Sequence, residues 1–160
     1  MSATTRTEHD LLGDKEIPSD AYYSVQTARA LENFHISGVQ LRLYPNVIKA
    51  FAMVKMAAAR ANFDCGQFSR EILTGIEGAC QELIDGKLHD EFRLDMFQGG
   101  AGTSTNMNAN EVIANRALEL MDGELHNEFR LDVFQGGAGT STNMNANEVI
   151  ANRALELMGH

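Results

Sequence analysis

The chain has 160 residues, of which 44% are hydrophobic and 22% charged, a composition typical of one globular domain. Its formal net charge of −9 argues against nucleic acid as a partner, because neutralising phosphates requires clustered Lys and Arg. No run of roughly 18 apolar residues occurs, which excludes a membrane span, and we expect no membrane partner. Its two cysteines form no disulfide framework, so we expect a cytoplasmic protein.

The start of the chain predicts a polar tail followed by a first helix. Residues 1–10 are polar and lack the apolar core of a secretory signal, so we expect a disordered tail. Residues 11–18 indicate a packed irregular segment or a short extended piece. Ser19 or Asp20 can then cap a helix that ends near Asn33.

Two further helices are indicated by apolar residues at i, i+3 and i+4 spacing. One begins at Pro45, a residue suited to the first helical position, and continues to about Asn62. The other covers residues 69–84 and stops before Gly86. Cys80 lies on the apolar face of this helix, so we interpret it as a small buried hydrophobic residue.

An extended run, a glycine-rich turn and a fourth helix follow. Residues 92–97 alternate apolar and polar side chains, which is typical of a strand or an extended segment. Residues 98–102 include three glycines, and Thr103 or Ser104 is then the natural N-cap of a helix to Met121. The predicted fold class is therefore mainly α with short extended pieces.

The start of the fourth helix carries the most specific chemistry in the chain. Unpaired N–H groups and the helix dipole place partial positive charge there, with hydroxyl donors on either side. No Lys follows the glycines as it does in a phosphate-binding loop, so a carboxylate is the better-suited anion. A purely structural turn before a helix is the alternative interpretation.

Two asparagines of the same helix indicate polar groups on its buried side. Asn106 and Asn110 share a helical stripe with Ile113 and Ala117, and buried amides need hydrogen-bond partners. Either these amides face a polar site or a symmetric neighbour, or they anchor a loop.

Residues 85–121 and 122–158 are the same segment of 37 residues written twice. The copies differ only at Lys87/Glu124, Asp90/Asn127 and Met96/Val133. A solenoid normally stacks at least three repeats. We therefore interpret the repeat as a tandem duplication of one native segment.

The residues around the glycine-rich turn carry a resemblance to a known family. Residues 99–116 read Gly-Gly-Ala-Gly-Thr-Ser-Thr-Asn-Met-Asn-Ala-Asn-Glu-Val-Ile-Ala-Asn-Arg, and this stretch closely resembles the first signature region of the aspartate ammonia-lyase family, in the aspartase/fumarase superfamily. Residues 11–34 are similar to the start of the same enzymes, although Ser24 stands where a glycine is expected, so that the turn there is expected to be altered. The resemblance implies an amino-terminal lyase-like domain over residues 11–121, followed by the duplicate in residues 122–160.

The resemblance implies an elimination that converts L-aspartate into fumarate and ammonia, with neither a cofactor nor a metal. It implies a serine base on a mobile loop and donors aimed at the doubly charged aci-carboxylate. Thr103 is implied as the ligand of a substrate carboxylate, with Ala101, Gly102 and Ser104 shaping the pocket. Thr140 and Ser141 are the duplicates of Thr103 and Ser104.

Members of the family are much longer and form tetramers around a bundle of long helices, and each active site joins three signature regions. Only the first region occurs here, and the loop that provides the base is absent. We therefore assign no catalytic residue and expect an amino-terminal fragment that is inactive alone and monomeric or weakly associating. A non-catalytic structural or interaction module is the alternative; a fumarase-type hydratase is disfavoured by the Gly-Gly-Ala motif.

Overall fold

A computed structural model describes residues 4–99 and 102–121 of the protein. In chain order its strands and α-helices are β1 (Thr5–Asp10), β2 (Gly13–Pro18), α1 (Val25–Asn33), α2 (Pro45–Asp64), α3 (Arg70–Ile84) and α4 (Thr103–Leu120). Single turns of 3-10 helix occupy Leu41–Leu43 and His89–Glu91. The predicted mainly α fold class is confirmed, whereas the expected duplicate domain, residues 122–160, lies outside the described residues. In the described ranges, no helix has the length and apolar character needed to cross a membrane.

Helix α3 lies between α2 and α4 and forms the centre of the core. Its contact with α4 is close because two positions of α3 are glycines. A Cβ atom added to Gly75 would lie 3.1 Å from the carbonyl oxygen of Ala117, and one added to Gly78 would lie 2.9 Å from Leu120 Cδ1. Such spacings are tighter than ordinary side-chain contacts, so the two glycines set the distance between the helices.

The disordered tail expected for residues 1–10 is wrong for Thr5–Asp10. These residues form β1, which pairs antiparallel with β2 so that Thr5 lies opposite Pro18. The polar composition of these residues predicted disorder, because the strand is stabilised by contacts of charged side chains and not by apolar ones. The Arg6 guanidinium donates to the carbonyl oxygens of residues 18, 21 and 23, and the buried Asp10 carboxylate accepts two hydrogen bonds from Arg29.

Helix α1 ends at Asn33 as predicted but begins at Val25, several residues after the predicted caps Ser19 and Asp20. Two distant carboxylates cap it instead. Glu8 of β1 accepts the Val25 N–H at 3.0 Å, while Glu111 of α4 accepts the N–H groups of residues 24, 26 and 27 at 2.9, 3.0 and 3.2 Å. Ser24 itself has φ −119°, an extended conformation that requires no glycine, so the substitution expected to alter this turn is accommodated without backbone strain.

Helices α2 and α3 follow the sequence-based prediction closely. Helix α2 begins at Pro45 and extends two residues beyond the predicted end. Ser69 caps α3, and its hydroxyl accepts the Ile72 N–H at 3.4 Å. Cys80 is a buried free thiol, as predicted, and burial raises its pKa to about 12.

Candidate functional site

An extended segment, residues 92–97, leads into the glycine-rich turn. Phe92 and Leu94 are fully buried, and their carbonyl oxygens accept the N–H groups of Arg42 at 2.8 Å and Leu41 at 2.9 Å. A single bridge joins Asp95 to Gln40. The alternation read from the sequence therefore corresponds to an extended run pinned to residues 39–42 and not to a regular strand.

Asp95 fixes the approach to the turn. Its buried carboxylate accepts the N–H groups of Ser37, Gly38 and Phe97 at 2.7, 2.8 and 2.8 Å, and the Ser37 hydroxyl at 2.7 Å. The Ser37 hydroxyl and the backbone donors hold the pKa of this carboxyl well below its usual range. Asp95 thereby stays ionised and connects the loop at residues 36–38 to the segment that enters the glycine turn. The alternating apolar and polar pattern of residues 92–97 did not indicate this role.

Gln98 connects the two ends of the glycine turn. Its amide nitrogen donates to the Asp95 carbonyl oxygen and to the Thr105 hydroxyl, both at 2.7 Å, and its carbonyl oxygen accepts the Thr105 N–H at 2.9 Å. Between these anchors Gly99 and Gly102 have φ values of 50° and 65°, which favour glycine. The turn is therefore held at both ends by buried hydrogen bonds.

The prediction that Thr103 or Ser104 caps α4 is wrong. Gly102 occupies the N-cap position, and Thr103 is the first helical residue. Gly102 has no side chain to cap the helix, and the Gln98 side chain accepts the Thr105 N–H in its place. Across residues 4–99 and 102–121, the N–H groups of Thr103 and Ser104 have no hydrogen-bond acceptor. The first turn of α4 consequently offers two backbone donors next to two hydroxyl groups.

Three of the predicted site residues lie together at this helix start. Gly102 is exposed, Thr103 is half-buried and Ser104 is buried with 8% of its surface accessible. The other three residues, Ala101, Thr140 and Ser141, lie outside the described residues.

The buried polar stripe of α4 is broader than the sequence pattern indicated. Asn110 is buried together with Ile113 and Ala117, as predicted, whereas Asn106 is only half-buried. Asn108, which was not singled out, is fully buried and donates to the Glu91 carbonyl oxygen at 3.2 Å. The Asn108 amide thus anchors the loop that contains Glu91, which is the kind of contact expected if the amides of this helix hold a loop in place.

Glu111 is a buried charged residue of α4 that the sequence pattern did not indicate. Burial raises its pKa to about 7, against the opposing effect of the backbone N–H groups at the start of α1. Nothing local in the sequence indicates this, because the donors lie in another helix.

The donors at the start of α4 are neutral. The only cationic side chain of this helix, Arg116, lies 13 residues after Thr103, about 20 Å along the axis. Its guanidinium binds the Glu82 carboxylate with two hydrogen bonds of 2.6 and 2.9 Å. The donors at the helix start are suited to bind one carboxylate. Helix α4 supplies no cationic side chain there to neutralise a second carboxylate.

Residues 13–126 match the model of a family described as lyase. The aspartate ammonia-lyase of Pseudomonas canavaninivorans is 57% identical over 117 residues, covering 73% of this chain and 25% of the relative. That of Escherichia coli (strain K12) is 49% identical over 119 residues, covering 74% of this chain and 25% of the relative. The chain thus spans about a quarter of the length of the curated relatives it matches.

Solved structures of lyases resemble the same fold. A fumarate lyase (delta crystallin) from Brucella melitensis superposes with a TM-score of 0.74 and 45% identity, covering 91% of this chain and 29% of that one. A class II fumarase from Schistosoma mansoni has a TM-score of 0.71 and 39% identity, covering 76% of this chain and 25% of that one.

Proposed function

Because this chain belongs to the lyase family, we propose that it is ammonia-lyase sequence in which the start of α4 binds one carboxylate of L-aspartate or fumarate. The reaction we propose for the complete active site removes ammonia from L-aspartate and gives fumarate. The family model covers well over half of the chain, and aspartate ammonia-lyases are among its relatives.

The observation that carries the proposal is that, among the described residues, no acceptor binds the N–H groups of Thr103 and Ser104. They lie at the positive end of the α4 dipole and beside their own hydroxyl groups. Removing the proton next to a carboxylate places a second negative charge on that carboxylate. Donors already aimed at the developing charge stabilise it more than they stabilise the substrate, which lowers the barrier.

The anchors around the turn support the same role. Asp95 and Gln98 are buried and hydrogen-bonded on both sides of the glycines, so the donors do not have to be ordered when the ligand arrives. Preorganisation of this kind is what makes neutral donors effective in catalysis.

We propose no turnover by this chain alone. Hydrogen-bond donors position a substrate and stabilise charge, but they do not remove a proton from carbon. Arg116 is engaged by Glu82 at the other end of α4, so the second carboxylate of a dicarboxylate has no cation from this helix. The base and the second carboxylate ligand belong, in this proposal, to parts of a lyase that this sequence does not contain.

A chimera tests the proposal. Residues 11–121 of this chain replace the matching segment of the Pseudomonas canavaninivorans enzyme, and the formation of fumarate from L-aspartate is measured. We expect Thr103→Val in the chimera to lower kcat/KM by a factor on the order of 10² to 10³, because it removes one donor to the developing charge. The matched control is Thr74→Val, at an exposed residue of α3 whose hydroxyl bonds only the Arg70 carbonyl oxygen. An active chimera that tolerates both substitutions equally would refute the assignment of Thr103.

A further inference from the structure

The positions at which the two copies of the repeat differ are all exposed in residues 85–121, the first copy. The Lys87 and Asp90 side chains are 63% and 84% exposed, and Met96 is 40% exposed. Every residue that the first copy buries therefore has an identical counterpart 37 positions later, in residues 122–158, the second copy.

The polar contacts that hold the first copy in place are also repeated in sequence. Three side chains make its main contacts with residues 4–84, the receiving surface: Glu111 caps α1, Asp95 binds the loop at residues 36–38, and Arg116 pairs with Glu82. Their counterparts in the second copy, Glu148, Asp132 and Arg153, are the same amino acids.

The contacts that the second copy would lose are weak ones. Asn127 replaces Asp90, whose carboxylate lies 3.3 Å from the guanidinium of Arg42. Glu124 replaces Lys87, whose ammonium lies 3.5 Å from Glu82. Both pairs are largely exposed on one side, and solvent-exposed ion pairs contribute little to stability.

We propose that the receiving surface accepts the second copy in place of the first, so that the chain has two alternative occupants for one binding surface. In the exchanged state the first copy becomes an insertion between Ile84 and Asp122. Closing a loop of about 37 residues disfavours that state roughly two-hundredfold, because closure entropy scales as three-halves of the logarithm of length. The first copy is therefore the resident occupant in the described structure, and the second replaces it when the first is damaged.

This inference is independent of the proposed function, although exchange places Thr140 and Ser141 where Thr103 and Ser104 lie. Matched substitutions in the two copies test it. Val112 is fully buried, and Val149 is its counterpart. An aspartate at either position puts an unpaired carboxylate into the core only when the copy that carries it occupies the receiving surface, and that burial is strongly unfavourable. Three variants are compared with the parent chain by urea denaturation: Val112→Asp, Val149→Asp and the double variant.

We expect Val149→Asp to unfold like the parent. Val112→Asp keeps a cooperative transition but loses up to roughly two hundredfold in its folding equilibrium constant, the factor set by the larger loop. The double variant loses the transition. Independent losses that add in the double variant, or a Val112→Asp chain as unfolded as the double variant, would overturn the exchange.

If Val112→Asp destabilises the chain little, hydrogen exchange measured on peptides by mass spectrometry shows which copy occupies the receiving surface. The substitution at position 112 gives the helix of the first copy a distinct mass, so the two copies are followed separately. In Val112→Asp we expect the slow-exchanging amides to lie in residues 140–157 and not in residues 103–120. Protection that stays in the first copy, or that disappears from both, contradicts the proposal whatever the denaturation curves show.

Discussion

The buried carboxyl of Glu111 predicts a loss of stability between pH 5 and pH 8. Three N–H groups at the start of α1 donate to this carboxyl. A second carboxylate, that of Glu8, lies at the same helix start, where it accepts the Val25 N–H and binds the Arg6 guanidinium. Burial raises the pKa of Glu111 to about 7, whereas an ordinary glutamic acid has 4.5. The folded chain therefore holds this proton more tightly than the unfolded chain does.

The sign and size follow from proton linkage. Between pH 4.5 and pH 7 the folded state binds more protons at this site than the unfolded state, so the free energy of unfolding falls as the pH rises. The contribution is complete below pH 4.5 and is lost as the pH rises through 7. Integrating both titrations from pH 5 to pH 8 gives a loss of about 2 to 3 kcal/mol for this group.

The assay is urea denaturation followed by far-ultraviolet circular dichroism at several pH values from 5 to 8. Because Glu148 repeats Glu111, the informative variant carries both Glu111→Gln and Glu148→Gln, which leaves no titrating carboxyl at this position in either copy. We expect its stability to depend much less on pH than that of the parent chain. Glu71→Gln, which removes one exposed carboxylate from α3, shows the effect of losing a carboxylate away from this position.

Parallel curves for the parent chain and the double variant would show that the buried carboxyl does not titrate in this range. A parent chain whose stability rises from pH 5 to pH 8 would contradict the direction of the shift. Either result would mean that the N–H groups of α1 outweigh burial, so that Glu111 stays ionised in the folded chain.

Three further predictions concern activity, association and packing. The purified chain should form no fumarate from L-aspartate above the buffer background, and turnover that survives repurification would contradict this. The chain should sediment as a monomer or a weak oligomer, and a discrete tetramer at micromolar concentration would rule this out. Val54→Lys should reduce association, because Val54 is an apolar side chain of α2 that is 66% exposed. Gly75→Ala should lower the free energy of unfolding by about 1–3 kcal/mol, since its Cβ would press on Met121 and the Ala117 backbone. Gly78→Ala should lower it less, because its Cβ meets only the tip of the Leu120 side chain. Equal losses of stability in the two variants would refute this explanation of the contact.

Local sequence patterns were sufficient for the long helices. Apolar periodicity and a proline at the first position located α2 to within two residues of its end, and Ser69 marked the start of α3. The buried Cys80 followed from the same periodicity. These features depend on residues three or four apart, and the information for them lies inside each helix.

The candidate site was found from sequence in part. The three glycines and the hydroxyl residues after them indicated a turn before a helix with free donors, and the family resemblance directed attention to Thr103. The cap itself was misassigned by one or two residues. Gln98 supplies the bond that a side chain at the N-cap would have supplied, and no rule about the first helical turn indicates a partner that lies before the glycines.

Only the tertiary structure decided the elements that depend on distant charges. The strand β1, the late start of α1 and the buried state of Glu111 all rest on contacts between residues remote in sequence, up to 87 positions apart for Ser24 and Glu111. A polar segment is disordered or ordered according to whether its charged groups find partners, and those partners come from other elements. The sequence alone determined where the helices can form, because that depends on neighbours along the chain, whereas the tertiary fold decided which carboxylates meet which helix ends.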